Sequence, residues 1–299
     1  MRAIVNPRPG ARLAIAVPFA WLLVLFLAPF VIVAGISLGE SSIGIPPYTP
    51  PLVFSDGIVP TLNVNLGNYA LLLGDSLYIR AYLNAVEFAA IATAICLALG
   101  YPMAYAIARA PRTWRNPLLM LVILPFWTSF LIRVYAWVGI LKTNGLLNNL
   151  LLASGLIDQP LPLLNNLFSV EIALVYSYLP FMILPLYATL ERMDPALLEA
   201  AADLGCRPFR AFLTVTLPLS LPGIAAGCLL VFIPAVGEFV IPDLLGGPDT
   251  LMIGKVLWDE FFTNRDWPVA SAVAIAMLVL LVAPIALAQR AIGRGVGAA

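Results

Sequence analysis

The sequence predicts an all-α polytopic membrane protein with six transmembrane helices, and three observations carry that prediction. The chain of 299 residues is 62% hydrophobic and 11% charged, whereas a soluble domain is typically about half apolar and about one quarter charged. Six stretches are long and apolar enough to cross a bilayer, which takes about 20 residues. The basic residues lie unevenly on alternate sides of those stretches.

The first span, Leu13 to Ile36, carries no charge. It is too long for a signal-peptide core and no convincing small-residue cleavage site follows it, so it reads as a membrane helix. Span two is Tyr82 to Ile107, span three Pro117 to Leu141 and span four Phe168 to Leu190. Span five is Leu217 to Ile241 and span six Pro268 to Gln289. Prolines 180 and 185 in span four and Pro234 in span five are candidate helix breaks. Between spans one and two, Ser37 to Leu66 is rich in proline, glycine and asparagine and reads as an irregular loop. Asn144 to Leu156 is apolar but too short to cross, and reads as a re-entrant or interfacial helix.

Lysine and arginine set the orientation. One side carries Arg2, Arg8, Arg12, Arg109, Arg112, Arg115, Arg192, Arg207, Arg210, Arg290 and Arg294; the other carries Arg80, Lys142, Lys255 and Arg265. The richer side is cytoplasmic, so both termini are cytoplasmic. The domain plan is an arm over 1–12, one transmembrane domain over 13–290 and a tail over 291–299. The outer loops hold Glu40, Asp56, Asp75, Asp158, Asp243, Asp249, Asp259, Glu260 and Asp266. An acidic vestibule concentrates cations, although each residue alone also suits an ordinary solvated loop.

Several classes fall away. Net charge is zero with 16 basic and 16 acidic residues, and no basic patch points to nucleic acid. There is no histidine, and Cys96, Cys206 and Cys228 have no metal or disulfide spacing. No metal or cofactor is expected. No GxxxxGK[ST], GxSxG or HExxH pattern occurs, so neither nucleotide hydrolysis nor another enzymatic activity is predicted for this chain.

The insert "MDPALLEAAADLGCRPFRAFLTVTLPLSLPG", Met193 to Gly223, is polar for so apolar a chain. Asp194 is a good N-cap and Pro195 suits the first helical position. Strong helix formers follow to Leu204, and Gly205 is the natural stop. A second short helix runs from Pro208 to about Thr216, and Pro218 marks the next boundary. An amphipathic helix on the lipid surface is one reading. Its apolar residues are mostly alanine, which anchors weakly, and a knob for a protein groove fits better.

Glu199-Ala200-Ala201, three residues, Gly205, nine residues, Val215, one residue and Leu217-Pro218 resemble the EAA signature of ABC importer permeases, with Val215 where isoleucine is usual. "LPFWTSFLIRVYAWVGIL" (Leu124 to Leu141), "LLVFIPAVGEFVIPDLLGGPDTLMIGKVLWDEFF" (Leu229 to Phe262) and "NRDWPVASAVAIAML" (Asn264 to Leu278) are similar to the polyamine branch of that family, most of all to its putrescine permease subunits. The resemblance covers about Ala11 to Ile292. It implies a type I importer permease (MetI-like) in the bacterial inner membrane, with no cofactor of its own. It also implies a second homologous permease subunit as heterodimer partner, two copies of a cytoplasmic ABC ATPase and a periplasmic polyamine-binding protein. The loop 193–218 would then be the ATPase-coupling element, with Glu199, Ala200, Ala201, Asp203, Leu204 and Gly205 at the contact. An ion-gradient-driven carrier for small organic cations is the alternative reading, and would need no ATPase.

Three ionisable residues stand inside spans: Glu87, Arg133 and Glu238. At 1.5 Å per residue they lie roughly 8 Å from the outer end, roughly 24 Å from the inner end and roughly 32 Å from the inner end. All fall in the outer half of a core about 30 Å thick. A diammonium substrate needs its hydration replaced, and carboxylates with aromatic faces can do that. Phe126, Trp127, Tyr135, Trp137 and Phe239 are the aromatic candidates. The expected arrangement pairs Arg133 with Glu87 structurally and leaves Glu238 free for an amine, because Pro234 and Gly237 let span five unwind there. The alternative makes both glutamates packing or gating residues, with selectivity held by the binding protein.

Overall fold

The computed structural model describes residues 9–54 and 60–296, with side chains at 15–52 and 63–282. Of the predicted terminal arms, residues 1–8 and 297–299 fall outside the described residues, and the rest continue the terminal helices. Asp56 and the side chains of Arg2, Arg8, Arg12, Arg290 and Arg294 also fall outside the described residues.

In chain order the helices are α1 (Pro9–Ser37), α2 (Gly67–Gly74), α3 (Ser76–Arg109), α4 (Arg112–Ile123), α5 (Phe130–Leu141), α6 (Leu146–Ala153) and α7 (Leu167–Glu191). There follow α8 (Ala196–Asp203), α9 (Pro208–Ala211), α10 (Leu217–Val236), α11 (Val240–Leu245), α12 (Ile253–Trp258) and α13 (Trp267–Val296). Two antiparallel hairpins lie between α1 and α2. β1 (Glu40–Ser41) pairs with β2 (Tyr48–Thr49), Glu40 opposite Thr49, and β3 (Leu52–Phe54) pairs with β4 (Pro60–Leu62), Leu52 opposite Leu62.

The residues group into two compact units, Met1–Ser76 with Leu257–Ala299, and Leu77–Val256. In the first unit α1 packs on α13 and α2 on α13. Buried Asn68 on α2 donates to the carbonyls of Ser37 and Gly39, both at 2.9 Å, which ties the loop back to the end of α1. From Ile15 to Leu27 the side chains of α1 are exposed on every face. A helix that is apolar all round expects lipid or another chain beside it.

In the second unit α7 packs along α10, and α5 packs on α7 and α11. Lipid tails are as apolar as leucine, so close approach and polar contacts must hold such helices together. Gly223 and Gly227 of α10 give the close approach to α7, where a Cβ would stand 2.5 Å from Thr189 and 2.7 Å from Met182, and α3 adds a stripe of small buried residues. Ala81, Ala85, Ala89, Ala92, Cys96 and Ala104 are all fully buried, and their three- and four-residue spacing puts them on one stripe. Cys96 Sγ lies 3.6 Å from the Val175 carbonyl of α7. One turn and a half inward, the Tyr101 hydroxyl meets Ser220 of α10 at 2.9 Å.

Five described helical stretches are long and apolar enough to cross a membrane, within α1, α3, α5–α6, α7 and α9–α10; α13 adds apolar side chains from Trp267 to Val282. Three expectations need correction. Span three is not one helix from Pro117: α4 ends at Ile123, a 3₁₀ turn covers Leu124–Trp127, and Thr128 is extended at φ −101°, ψ 151°. Pro125 brings no N–H, and the Thr128 hydroxyl donates to its carbonyl at 2.8 Å, a local bond that competes with the helical ladder. Span four is not broken, because Pro180 and Pro185 both lie inside continuous α7; neighbouring helices and local adjustments satisfy the freed carbonyls in such cases. Pro218 is not a boundary either. A π turn at Phe212–Thr216 joins α9 to α10, giving 29 helical residues from Pro208 to Val236.

Candidate functional site

At one end of the second unit, the insert folds as a bent helical pair. The Asp194 carboxylate accepts the N–H of Ala196 at 3.0 Å, opening α8. Its close is a Schellman turn: Cys206 N–H bonds the Ala201 carbonyl at 2.9 Å and Gly205 N–H the Ala202 carbonyl at 2.8 Å. Gly205 takes φ +74°, a left-handed conformation that costs other residues about 1 kcal/mol. Glu199, Ala200, Asp203, Leu204 and Gly205 are exposed and Ala201 is half-buried. Leu204 is 88% exposed and Phe209 74%. Both lie beside the bend at Gly205. Nearby, Arg115 pairs with Glu191 at 3.4 Å and ties α4 to α7.

At the other end, span five unwinds where expected. Helix α10 stops at Val236, and α11 starts at Val240. Glu238 fills the break. Its Oε1 accepts the N–H groups of Phe239 at 3.1 Å, Val240 at 3.0 Å and Ile241 at 3.4 Å. The Tyr178 hydroxyl of α7 donates to its Oε2. The residue is 7% exposed. Gly254 closes over the same break: a Cβ there would stand 2.5 Å from the carbonyl oxygens of Gly237 and Glu238, so only glycine fits. Glu238 is therefore not the open carboxylate expected from the sequence. A carboxylate has about four acceptor sites, and four donors already use them.

The Arg133–Glu87 pair is not formed either. Arg133 lies over the rings of Phe126 and Phe130, at 5.4 and 5.7 Å from their centres, and its Nε and Nη1 meet no hydrogen-bond partner. Ion pairs do form elsewhere, at Arg115–Glu191 and Lys255–Asp243. Glu87 is exposed on α3. Trp127 and Tyr135 are also exposed, at 72% and 58%, and Phe239 is half-buried. Phe126 packs on Phe181, and Trp137 on Tyr176. The predicted single layer is thus split between a capped helix break and an open helix face.

One charged residue was missed. Glu171, four residues into α7, is 7% exposed, and both its carboxylate oxygens lack a partner. Glu87 is close enough for the two charges to interact. Outward of them lies a cavity of about 340 Å³ lined by Asn84, Phe88, Asn166, Leu167, Asp249 and their neighbours. Asn84 shapes it by donating to the carbonyls of Asp249 at 3.3 Å and Leu251 at 3.1 Å. Asn166 accepts the Ser169 N–H at 3.1 Å and caps α7. The described residues hold no group of three or more acidic, cysteine or histidine side chains placed to bind a metal.

Known proteins share both the fold and the sequence. Among solved structures, a bacterial ABC transporter involved in import of the acidic polysaccharide alginate matches with a TM-score of 0.65, over 93% of this chain and 94% of that one, at 17% identity. That likeness shows the fold. The spermidine/putrescine transport system permease protein PotB of Haemophilus influenzae is 41% identical over 270 residues, 90% of each chain. PotB of Escherichia coli is 46% identical over 216 residues, 72% of this chain and 78% of that protein. Both relatives are permeases rather than enzymes, and their names join the two polyamines. Residues 96–297 match the family described as binding-protein-dependent transport system inner membrane component, and with those relatives the match establishes that this chain belongs to that family as a multi-pass inner-membrane permease subunit.

Proposed function

We propose that the chain is the membrane permease of an ATP-driven importer that carries a polyamine, putrescine foremost, from periplasm to cytoplasm. The observation that carries this reading is 41% identity across 90% of a spermidine/putrescine permease. Carboxylates without basic partners at one end of the second unit accord with a cationic cargo. In this reading the bend at Gly205 faces the cytoplasm and docks on a separate ABC ATPase, present in two copies. A second homologous permease completes the pore, and a periplasmic polyamine-binding protein delivers the substrate. The exposed Leu204 and Phe209 support a protein contact at the bend.

Reconstitution tests the reading. Proteoliposomes holding the chain with its partner permease and ATPase, supplied with binding protein and ATP, should take up labelled putrescine with a lower KM than spermidine. The chain alone should be silent. Uptake by the chain alone on an ion gradient would replace this reading with that of a secondary carrier. Gly205→Asp should abolish ATP-driven uptake and weaken ATPase co-purification; if both stay at wild-type level, the bend is not the docking element.

A further inference from the structure

Glu171 is unusual among the buried polar groups. Both carboxylate oxygens are shut away from solvent and neither has a donor. Burying a carboxyl group without a partner is costly, so a site that keeps one has a use for its charge or its proton.

Its surroundings say what it faces. Leu167, one turn outward on the same face of α7, lines the cavity shared with Asn84 and Phe88 of α3. Asn84 likewise stands three residues from Glu87, on one face of α3. Neither carboxylate lines that cavity; each stands about one turn inward of a residue that does. Cys96 is level with Val175. Counting outward from that level gives nine residues to Glu87 and four to Glu171, so Glu171 sits about 7 Å deeper. No base in the described residues reaches it. Arg133 is held four residues inward of Trp137, which meets Tyr176, and Glu171 lies five residues outward of Tyr176. The two are about 14 Å apart along the helix axes.

We propose that Glu171 and Glu87 form a stepped ammonium site, entered from the Asn84–Asp249 cavity, in which Glu87 meets the cation first and Glu171 takes it deeper between α3 and α7. The ligand class is a short aliphatic diamine: two primary ammonium groups joined by a flexible apolar chain suit two carboxylates set at different depths beside Phe88 and Leu167. The inference rests on the polyamine reading above.

The test uses the full assembled transporter in proteoliposomes, with 1,4-diaminobutane and the monoamine butylamine as probes. Glu171→Gln should raise the KM for 1,4-diaminobutane uptake about tenfold, the loss of one charged contact, with assembly and melting temperature retained. Glu87→Gln should raise it less. Butylamine should compete weakly against wild type and should lose less of its competition than the diamine loses affinity in Glu171→Gln. If Glu171→Gln fails to assemble, Glu171→Asp and Glu87→Gln decide: raised KM in either supports the site, and wild-type KM in both overturns it. Wild-type uptake of the diamine separates the two levels. Its absence removes the polyamine reading and this site with it, whereas wild-type uptake with unchanged KM in Glu171→Gln and Glu87→Gln removes only the site.

Discussion

Glu171 and Glu238 are equally buried, at 7% exposure each, and both belong to the second unit. They differ in what surrounds them. Glu238 receives three backbone N–H groups and the Tyr178 hydroxyl; Glu171 receives none. The first carboxylate is spent on holding a broken helix in shape. The second holds nothing in place. Burial alone does not distinguish a scaffold residue from a binding residue, whereas the hydrogen-bond inventory does.

The sharpest way to break this contrast is Glu238→Ala. It strips the acceptor from three N–H groups and a tyrosine at once, and should destabilise the protein by about 3 kcal/mol, read as a lower melting temperature in detergent. A small shift would mean that water or a neighbour takes over the cap. Tyr178→Phe removes one donor and should cost about 1.5 kcal/mol in the same measurement. Glu171→Leu should go the other way, gaining about 1 kcal/mol because an unpartnered carboxyl is replaced by an apolar side chain, while polyamine uptake falls. A destabilised Glu171→Leu protein would make the two carboxylates alike. The smallest effect is expected between Arg133 and Glu87. A double-mutant cycle on Arg133→Gln and Glu87→Gln should be additive within about 0.5 kcal/mol, and a larger coupling energy would restore the ion pair that the geometry lacks.

Much of the helical architecture was legible in the sequence because hydrophobic length is a one-dimensional signal. The bent insert was legible too: Asp194, Pro195 and Gly205 act on their immediate neighbours, and each sits where local chemistry puts it. The helix break at Gly237 was also foreseen. What Glu238 does in that break was not, because its fourth donor, Tyr178, is 60 residues away. Glu171 escaped for a related reason. It stands near the edge of an apolar span in "FSVEIAL", where a charge reads as a membrane-interface residue, and its burial comes only from tertiary packing. Prolines misled in both directions. Pro180, Pro185 and Pro218 sit in continuous helix while Pro125 marks a true interruption. Which outcome prevails depends on whether a neighbour can satisfy the orphaned carbonyl, and sequence does not specify the neighbour.

The unbroken run from Pro208 to Val236 has a mechanical consequence. Its 29 residues make a strut about 43 Å long. One end abuts the exposed bend and the other ends at the Glu238 cap. Along it, the π turn at Phe212–Thr216 and the prolines Pro222 and Pro234 are where bending would concentrate. The cap is a handful of hydrogen bonds around one carboxylate. The exposed bend and the Glu238 cap are thus the two ends of one helical element.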